Sequence, residues 1–374
     1  MKEEHKLKTI VHITTIHHRY DNRIFWKECR SLANDGYDVT LLVNDEQEDE
    51  VRDRISIVSI RKTSRNFLSR VLILPHYIKA IKKIRPDIVH FHDPEVLLIA
   101  SRLKKYANVV IFDSHEYYKI QILTKARIPR LLRRPISEVY SLIETFVLKQ
   151  IDGIIIPCTF NGINPFTQKA KHTEIIANKP YYLNYEIHHQ YKYDMVYVGS
   201  ISGDRGIFHY INLAIKTGDS LLVIGDITDL KLENKIKLAV QAAKNISFIK
   251  WVDTKELNSY LIQCKVGLCL IDNSGQYHMV DTLPTKVFDY FSFRMPVLLH
   301  KTNYNIGLLQ NSKIAELVNY KDFGEILKGY LNLKKKLINE EIKTIFFDDF
   351  LSQNNWEFEY KKLKDFYYSL LMKY

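Results

Sequence analysis

The stretch DTLPTKVFDY holds the residues best suited to chemistry. Asp281 opens it, Asp289 follows eight positions later, and a lysine lies between them. Proline is favoured in the first turn of a helix, so Thr285 and Lys286 are predicted at a helix N-terminus. The free amide N–H groups of such a turn bind phosphate, and the lysine adds a full positive charge. The stretch therefore predicts a phosphate site whose two acids could reach hydroxyl groups beyond the phosphates. The alternative is that Asp281 only caps the helix and Asp289 is solvated.

The segment YVGSISGDRGI predicts a second phosphate contact. Gly199 follows an apolar run typical of a buried strand, and Arg205 and Gly206 open the next helix. An arginine beside free amides suits a diphosphate. The segment lacks the Gly-x-Gly-x-x-Gly fingerprint, and the chain has no Gly-Lys-Ser/Thr loop, so neither of those phosphate motifs is indicated. A plain turn is the alternative.

Polar residues also follow strands in the first half of the chain. His115 ends the run NVVIFDSH, where a histidine could donate to a sugar or phosphate oxygen or exchange a proton, although a structural role is the alternative. The loop TTIHHRYDNR carries His18, Asp21 and Arg23, which could bind a hydroxylated acceptor, while Asp21 could instead cap a helix. Neither FDSHEYY nor HFHDPE has the spacing of a closed metal site, so no metal is predicted.

Strand and helix patterns alternate through both halves, which predicts parallel sheets covered by helices on both faces. Short β-branched runs predict strands at 8–15, 38–45, 87–92, 108–115, 195–200, 220–226, 246–252, 266–271 and 296–300. The segment 176–186 loses this periodicity and is predicted to be a linker. The fold class is therefore α/β, with two doubly wound, Rossmann-like domains at 1–180 and 181–351, and an amphipathic helix at about 352–374. Ligands of such sheets lie beyond the carboxyl ends of the strands.

The composition bounds the class of protein. A chain of 374 residues with 46% hydrophobic and 26% charged residues is typical of a soluble two-domain protein. The N-terminus lacks the apolar core of a signal peptide and no stretch resembles a membrane span, which predicts a cytoplasmic location. Cys29, Cys158, Cys264 and Cys269 lack disulfide or zinc spacing, so reduced and mostly buried thiols are expected. The net charge of +11 would suit nucleic acid, an anionic membrane surface or anionic substrates.

Five segments together resemble a known family: YVGSISGDRGI, DTLPTKVFDYFSFRMPV, IANKP, FDSHE and YDNRIFWKECRSLANDGYDVTLLV. They are similar to the retaining family 4 group of GT-B glycosyltransferases, common in bacterial surface-polysaccharide and lipopolysaccharide assembly. The resemblance covers nearly the whole chain and is more specific in its C-terminal half. It implies a nucleotide-sugar donor, a saccharide acceptor that is lipid-linked, and a terminal helix that crosses back onto the N-terminal domain.

The resemblance assigns roles to the opening stretch. Asp289 would bind the ribose hydroxyls, Asp281 would approach the donor sugar, and the amides of Thr285 and Lys286 would hold the diphosphate. The family has glutamate where Asp281 stands, and many relatives lack that first acid. Such a site stabilises the charge that grows on the departing diphosphate, so neither a metal nor a cofactor is expected. In the retaining mechanism attributed to the family, the leaving phosphate itself deprotonates the acceptor.

Further roles follow from the same resemblance. Gly199 and Gly206 lie in the donor-binding turn, and Arg205 matches the basic residue before the family's helix-opening glycine. The usual second basic residue is missing, so Lys286 would supply that charge. By the same match His115 faces the donor sugar.

The loop KWVD, which includes Val252, matches the family loop that contacts the base.

The segment KARIPRLLRRP, residues 125–135, mixes five basic residues with three aliphatic ones and has no acid. This composition suits docking on anionic lipid headgroups, which predicts a peripheral position on the inner face of the cytoplasmic membrane. A solvated basic loop is the alternative. Three other functions stay open: a nucleotide-sugar epimerase on the same architecture, an inert partner of another transferase, and a nucleic-acid binder. The chain shows no nucleic-acid-binding signature, so no nucleic-acid partner is expected.

Overall fold

The structure is a computed structural model that describes residues 8–60, 66–125, 128–182, 187–227, 229–241, 243–252, 254–272 and 279–373. Three predicted features fall partly outside these residues: Arg127 in the docking segment, the end of the linker at 183–186, and Asp253 in the loop predicted to contact the base.

The chain divides into two compact units. The first comprises the residues up to Asn178 together with those from Phe358 onward, and the second is Lys179–Glu357.

The first unit is built on a sheet with strand order β3-β4-β2-β1-β5-β6-β7-β8, parallel except for the antiparallel β3–β4 pair. Its strands are β1 (Thr9–Ile13), β2 (Asp38–Val43), β3 (Glu50–Arg52), β4 (Ile55–Ser59), β5 (Ile88–Phe91), β6 (Val109–Asp113), β7 (Gly153–Ile156) and β8 (Thr173–Ile175). Its helices are a π-helix (Ile24–Cys29) that continues as α1 (Arg30–Asn34), then α2 (Phe67–Leu72), α3 (Leu74–Ile84), a 3₁₀ turn (Pro94–Val96), α4 (Leu97–Leu103), α5 (Tyr118–Thr124) and α6 (Arg130–Leu148).

The second unit is built on a parallel sheet with strand order β11-β10-β9-β12-β13-β14. Its strands are β9 (Tyr193–Val198), β10 (Leu221–Ile224), β11 (Ile246–Ile249), β12 (Cys264–Cys269), β13 (Val297–His300) and β14 (Ala315–Val318). Its helices are a 3₁₀ turn (Gly203–Arg205), α7 (Ile207–Thr217), α8 (Leu230–Val240), α9 (Thr254–Leu261), α10 (Thr285–Ser292), α11 (Asn303–Leu309), α12 (Phe323–Ile338) and α13 (Thr344–Gln353). The last helix, α14 (Trp356–Leu371), belongs to the first unit from Phe358 onward.

Apolar, β-branched runs form the central strands because helices cover both faces of each sheet. Strands β5 and β6 are buried along their whole length, yet they carry His90 and Asp113. Polar groups buried in such a core need partners, because leaving them unpaired costs free energy. One partner comes from the end of the chain: the Tyr367 hydroxyl on α14 lies 2.6 Å from Nδ1 of His90.

Each sheet has a topological switch point. In the first unit, the strand order continues outward from β1 on one side and from β5 on the other. In the second unit, it continues outward from β9 and from β12 in the same way. Loops that leave the carboxyl ends of such a strand pair diverge and open a crevice for a ligand. Functional residues are therefore expected in the loops that follow β1 and β5, and in those that follow β9 and β12.

The α/β class with two doubly wound units agrees with the prediction, but several elements differ. The single helix predicted after Asp21 begins as a π-helix. Strand β3 was not predicted because its sequence EVR is charged, as befits an edge strand. Residues 130–135 of the predicted docking segment form the start of α6, with Pro135 inside the helix. Within the described ranges, no helix combines the length and apolar character needed to cross a bilayer.

The four cysteines are free and buried, as predicted.

Candidate functional site

Lys286 stands at the switch point of the second sheet. It lies in the first turn of α10, and its Nζ is 4.0 Å from the centre of the Tyr197 ring on β9. A Cβ atom added to Gly199 would lie 2.9 Å from the same Nζ. The loop after β9 and the start of α10 therefore meet at the ammonium group. The sequence predicts a phosphate contact in each of these two segments, and a single phosphate site requires them to lie together.

The backbone after β9 is packed too closely for any side chain. Gly199 has φ +127°, and its N–H donates to the Ile224 carbonyl (2.9 Å). A Cβ at Gly225, where φ is +151°, would lie 2.0 Å from the Gly199 carbonyl oxygen. Both positions therefore require glycine. Gly225 was not singled out in the sequence, because the constraint comes from a neighbouring loop.

Arg205 provides a second positive charge near Lys286. It ends the 3₁₀ turn, and Gly206, with φ +79°, is the N-cap residue of α7. Removal from water lowers the pKa of Lys286 to about 8, and the charge of Arg205 acts in the same direction, while Cys269 and Asp289 oppose it. Two cations held close together, beside the first amides of a helix, form an environment that favours a bound anion.

The two acids of the opening stretch lie in different settings. Asp289 is exposed on α10, one turn beyond Lys286, while Asp281 is half-buried before the helix. Pro284 is the N-cap residue of α10, and its side chain makes no capping hydrogen bond. Asp281 is therefore not the N-cap residue of α10, whose first turn begins at the exposed Thr285.

Buried tyrosines hold these loops in place. The Tyr290 hydroxyl accepts from the Val198 N–H (3.0 Å), and the Tyr210 hydroxyl accepts from the Leu270 N–H (2.6 Å). A Cβ at Gly267 would lie 2.3 Å from the Tyr290 ring, so only glycine lets α10 approach β12. Sequence reasoning missed these residues, although a glycine inside an apolar strand is a signal of close approach.

Val252 follows β11 and is half-buried against the apolar core of the second unit. The neighbouring Trp251 is 69% exposed. The loop thus lies at the carboxyl edge of the same sheet as Lys286, beyond β10, with Trp251 as its exposed aromatic side chain.

His115 lies at the carboxyl edge of the first sheet. Its Nε2 is 3.1 Å from Nδ1 of His92 and 3.4 Å from Oδ2 of Asp113, and its side chain is 16% exposed. Burial lowers the pKa of His92 to about 4, so His92 is neutral at pH 7. His92 and Asp113 therefore fix the ring of a histidine that still reaches solvent.

His17, which was not predicted, stands closer to this site than His18. Its ring centre is 4.8 Å from that of His115, and its nitrogens lie 3.6 Å from Asp21 and 3.5 Å from Asp93. Burial opposes protonation, but the hydrogen bond with Asp21 and the charge of Asp93 raise the pKa of His17 above its usual value. His18 is exposed, and its Nδ1 accepts from the Tyr20 N–H (3.4 Å).

Asp21 caps the π-helix, which was its alternative role. One carboxylate oxygen accepts from the N–H groups of Arg23 and Ile24 (2.8 and 2.9 Å). Burial works against ionisation, yet the hydrogen bonds from His17 and these amides lower the pKa of Asp21.

Arg23, predicted on the acceptor side, is instead buried. Its Nε and Nη2 donate to the two oxygens of Asp113 (3.0 and 3.2 Å), and Nη1 donates to the Ile176 carbonyl (2.9 Å). Its side chain thus fixes Asp113, which in turn contacts His115. The charge of Arg23 keeps the pKa of the buried Asp113 well below its usual value.

Comparison with known proteins agrees with this architecture. Residues 13–132 match the family model described as Glycosyl transferase 4-like. No curated protein matches the chain. Among solved structures, the chain is similar to a glycosyltransferase from Rickettsia africae, with TM-score 0.71 and 12% identity over 98% of this chain and 99% of that one.

Two further solved structures are similar over nearly their whole length. A sucrose-phosphate synthase from Thermosynechococcus elongatus gives TM-score 0.70 and 14% identity, covering 98% of this chain and 100% of that one. HepE from Anabaena, in complex with UDP, gives TM-score 0.70 and 9% identity, covering 97% and 100%. The fold is GT-B.

The GT-B fold confirms the predicted pair of Rossmann-like domains. Together with the family match in the first unit, it supports an enzyme of the transferase class. Neither comparison supports the epimerase alternative.

Proposed function

We propose that this chain is a glycosyltransferase that moves a sugar from a nucleotide-sugar donor to a saccharide acceptor. One observation carries the proposal: Lys286, Arg205 and the N-terminus of α10 converge at the switch point of the second sheet. The GT-B fold is in keeping with this, since HepE, which shares it, is described in complexes with UDP and with UDP-glucose.

The donor would bind along the carboxyl edge of the second sheet. Its diphosphate would accept hydrogen bonds from the amides of Thr285 and Lys286 and lie against the backbone of Gly199 and Gly206. Its ribose would reach Asp289, which is exposed one turn further along α10. Asp281 would contact the transferred sugar.

The base would lie beside Val252.

The reaction breaks the bond between the anomeric carbon and the diphosphate oxygen and forms a bond to an acceptor hydroxyl oxygen. The acceptor proton passes to the leaving phosphate, and the sugar keeps its anomeric configuration. The charge that grows on the diphosphate is stabilised by Lys286, Arg205 and the helix amides, which are already in place. These groups do at the diphosphate what a metal ion does elsewhere, so transfer is expected to need neither an added metal nor a cofactor.

The acceptor side of the reaction is assigned to the first unit. His115, fixed by His92 and Asp113, would contact the sugar at the reacting carbon. His17, Asp21 and the exposed His18 would bind acceptor hydroxyl groups at the edge of the first sheet.

The acceptor is proposed to be lipid-linked and the pathway surface-polysaccharide assembly, with the protein cytoplasmic and peripheral on the inner membrane face. Helix α6 exposes a long apolar face that includes Leu131 (92%), Leu142 (71%) and Phe146 (68%), and its first two turns also carry the basic Arg130, Arg133 and Arg134. Beside it lies a groove of about 620 Å³ lined mainly by apolar side chains. An apolar helix face flanked by arginines suits the interface of an anionic bilayer.

Transfer is tested by incubating the purified chain with UDP-, GDP- and ADP-sugars, with and without a lipid-linked saccharide. The expected result is nucleoside diphosphate release and an extended acceptor. The His115→Ala variant should lose transfer while still binding the nucleotide. Release of an epimerised donor without acceptor, or no binding of any nucleotide, would contradict the proposal.

Membrane docking is tested by flotation with vesicles that contain anionic phospholipid. Leu142→Glu should reduce binding at least tenfold, because it places a charge on the apolar face of α6. Leu238→Glu is the matched control, since Leu238 is an equally exposed leucine (71%) in the second unit. If both variants bound the vesicles as well as the wild type does, α6 would not be part of the docking surface.

A further inference from the structure

Three histidines and a glutamate meet in the core of the first unit. His12 on β1 and His90 on β5 are register partners, so their side chains lie side by side on one face of the sheet, and His92 follows two residues later. Ring centres are 4.6 Å apart for His12–His90 and His90–His92. Glu28 reaches the same point from the π-helix, a rare element that often marks functional sites. All four residues are fully buried.

Their donor atoms have the spacing of metal ligands. Nδ1 of His12 lies 3.0 Å from Nε2 of His92, and each of these atoms lies 3.8 Å from Oε2 of Glu28. A point equidistant from three atoms so spaced is about 2.1 Å from each, which is the length of a zinc bond to nitrogen or carboxylate oxygen. A ring nitrogen of His90 lies within 4.8 Å of the other ligand atoms and can complete a set of four.

Atoms aimed into this space lack hydrogen-bond partners. Oε2 of Glu28 and Nε2 of His90 are buried without one, whereas Oε1 of Glu28 forms an ion pair with Nε of Arg23. A polar atom left in this state loses its hydration without compensation, which a bound cation would supply.

The other ring nitrogens of His90 and His92 are held from outside, as is usual for histidines that bind metals, while Nε2 of His12 has no hydrogen-bond partner. Nδ1 of His90 faces the Tyr367 hydroxyl at 2.6 Å, and Nδ1 of His92 faces His115 at 3.1 Å. The contact with His115 directs Nε2 of His92 toward Glu28, whereas Nε2 of His90 lies 3.8 Å from Oδ2 of Asp113.

The charges around the cluster also favour a cation. Glu28 and Asp113 both face the Arg23 Nε, each with an oxygen 3.0 Å away. Two buried carboxyl groups thus share one guanidinium, and a divalent ion beside Glu28 would stabilise its ionised form.

We propose that His12, Glu28, His90 and His92 form a closed structural site for a divalent transition metal of the zinc class. Nitrogen and carboxylate ligands in a four-coordinate set suit that class. The ion would fasten the π-helix to β1 and β5 beneath His115. It would lie in the core of the first unit, apart from the phosphate site, and its presence does not depend on which reaction the protein catalyses.

The test is the metal content of the full chain, purified without a metal-affinity column and measured by mass spectrometry. One zinc-class ion per chain that survives dialysis is expected. Cobalt(II) added during refolding should give the visible absorption of a four-coordinate site. Glu28→Gln and His90→Asn should each lose most of the metal. His300→Gln is the control, because His300 is a buried histidine of the second unit and should leave the content unchanged.

The wild-type measurement decides the outcome even if the variants fold poorly. Absence of bound metal after refolding with zinc, manganese, iron or cobalt, together with no cobalt absorption, would overturn the proposal. The His12–His92 contact would then be a hydrogen bond between neutral rings.

Discussion

The two switch points have the same strand topology but carry opposite chemistry. In the second unit, Lys286 and Arg205 lie beside a helix N-terminus, where anions are favoured. In the first unit, the corresponding edge carries histidines and carboxylates that are largely paired with one another, such as His17 with Asp21 and Asp93. Strand order thus supplies a crevice in both units, and the side chains decide which charge it accepts. Variants that affect one unit and spare the other test this difference between the two edges.

The largest expected effect is on the stability of the first unit. Asp113→Asn removes the carboxylate that accepts two hydrogen bonds from the buried Arg23 and should reduce the free energy of unfolding of this unit by about 3–5 kcal/mol. Chemical denaturation followed by a first-unit probe would measure it. Glu138→Gln is the control, because the Lys119–Glu138 pair is exposed and worth at most about 1 kcal/mol. Equal effects of the two variants would show that the buried pair does not organise this edge.

Lys286→Ala should produce the complementary pattern in the second unit. Loss of a positive charge at the developing diphosphate is expected to lower the transfer rate about 10²–10³-fold. The unfolding of the first unit should not change. The rate of sugar transfer and the affinity for nucleoside diphosphate are the measurements, with Lys321→Ala as the control, since Lys321 is exposed in the same unit. If Lys286→Ala transferred sugar at the wild-type rate, this lysine would not be part of the site.

The two edges also differ in how much of them could be predicted from the sequence. Gly199, Arg205 and Lys286 were found because a strand end, a glycine turn and a proline at a helix start are local signals. Glu28 and His12 were not found, because they meet His92 only through the sheet register that sets β1 beside β5. His18 was predicted as a site residue and His17 was not, because the local sequence does not indicate which of two adjacent histidines faces inward. The α/β fold itself was predictable, because alternating apolar runs depend on local periodicity.

Gly199→Ala should have a smaller effect than removal of Lys286. The added methyl group would lie 2.9 Å from Nζ of Lys286, and φ +127° is strained for alanine, so the lysine must move away from the phosphate position. Nucleoside diphosphate affinity should fall about ten- to a hundredfold, as for strain of about 1–3 kcal/mol. Calorimetric titration would measure it.

Gly203→Ala is the matched control for this variant. It lies in the same loop, and a Cβ there would meet nothing within 4 Å. If both alanine variants bound nucleotide equally, contact between the loop and the lysine would not matter for binding.

The smallest expected effect is a pH dependence found only in the second unit. Lys286 has its pKa lowered to about 8, so it is charged below that pH and loses its charge as the pH rises through it. A diphosphate is already fully ionised near pH 8, and once bound it favours the charged form of the lysine. Binding above pH 8 therefore takes up a proton, and the affinity should fall by up to about tenfold per pH unit. Lys286→Arg keeps its charge to much higher pH and should bind with a nearly constant affinity between pH 7 and about 10. Titrations in buffers of different ionisation enthalpy would show the proton uptake in the wild type and its loss in the variant. If the affinity of the wild type did not change with pH, the ammonium group would not contact the diphosphate. The positive charge that distinguishes the second unit's edge from the first would then come from Arg205 and the helix amides alone.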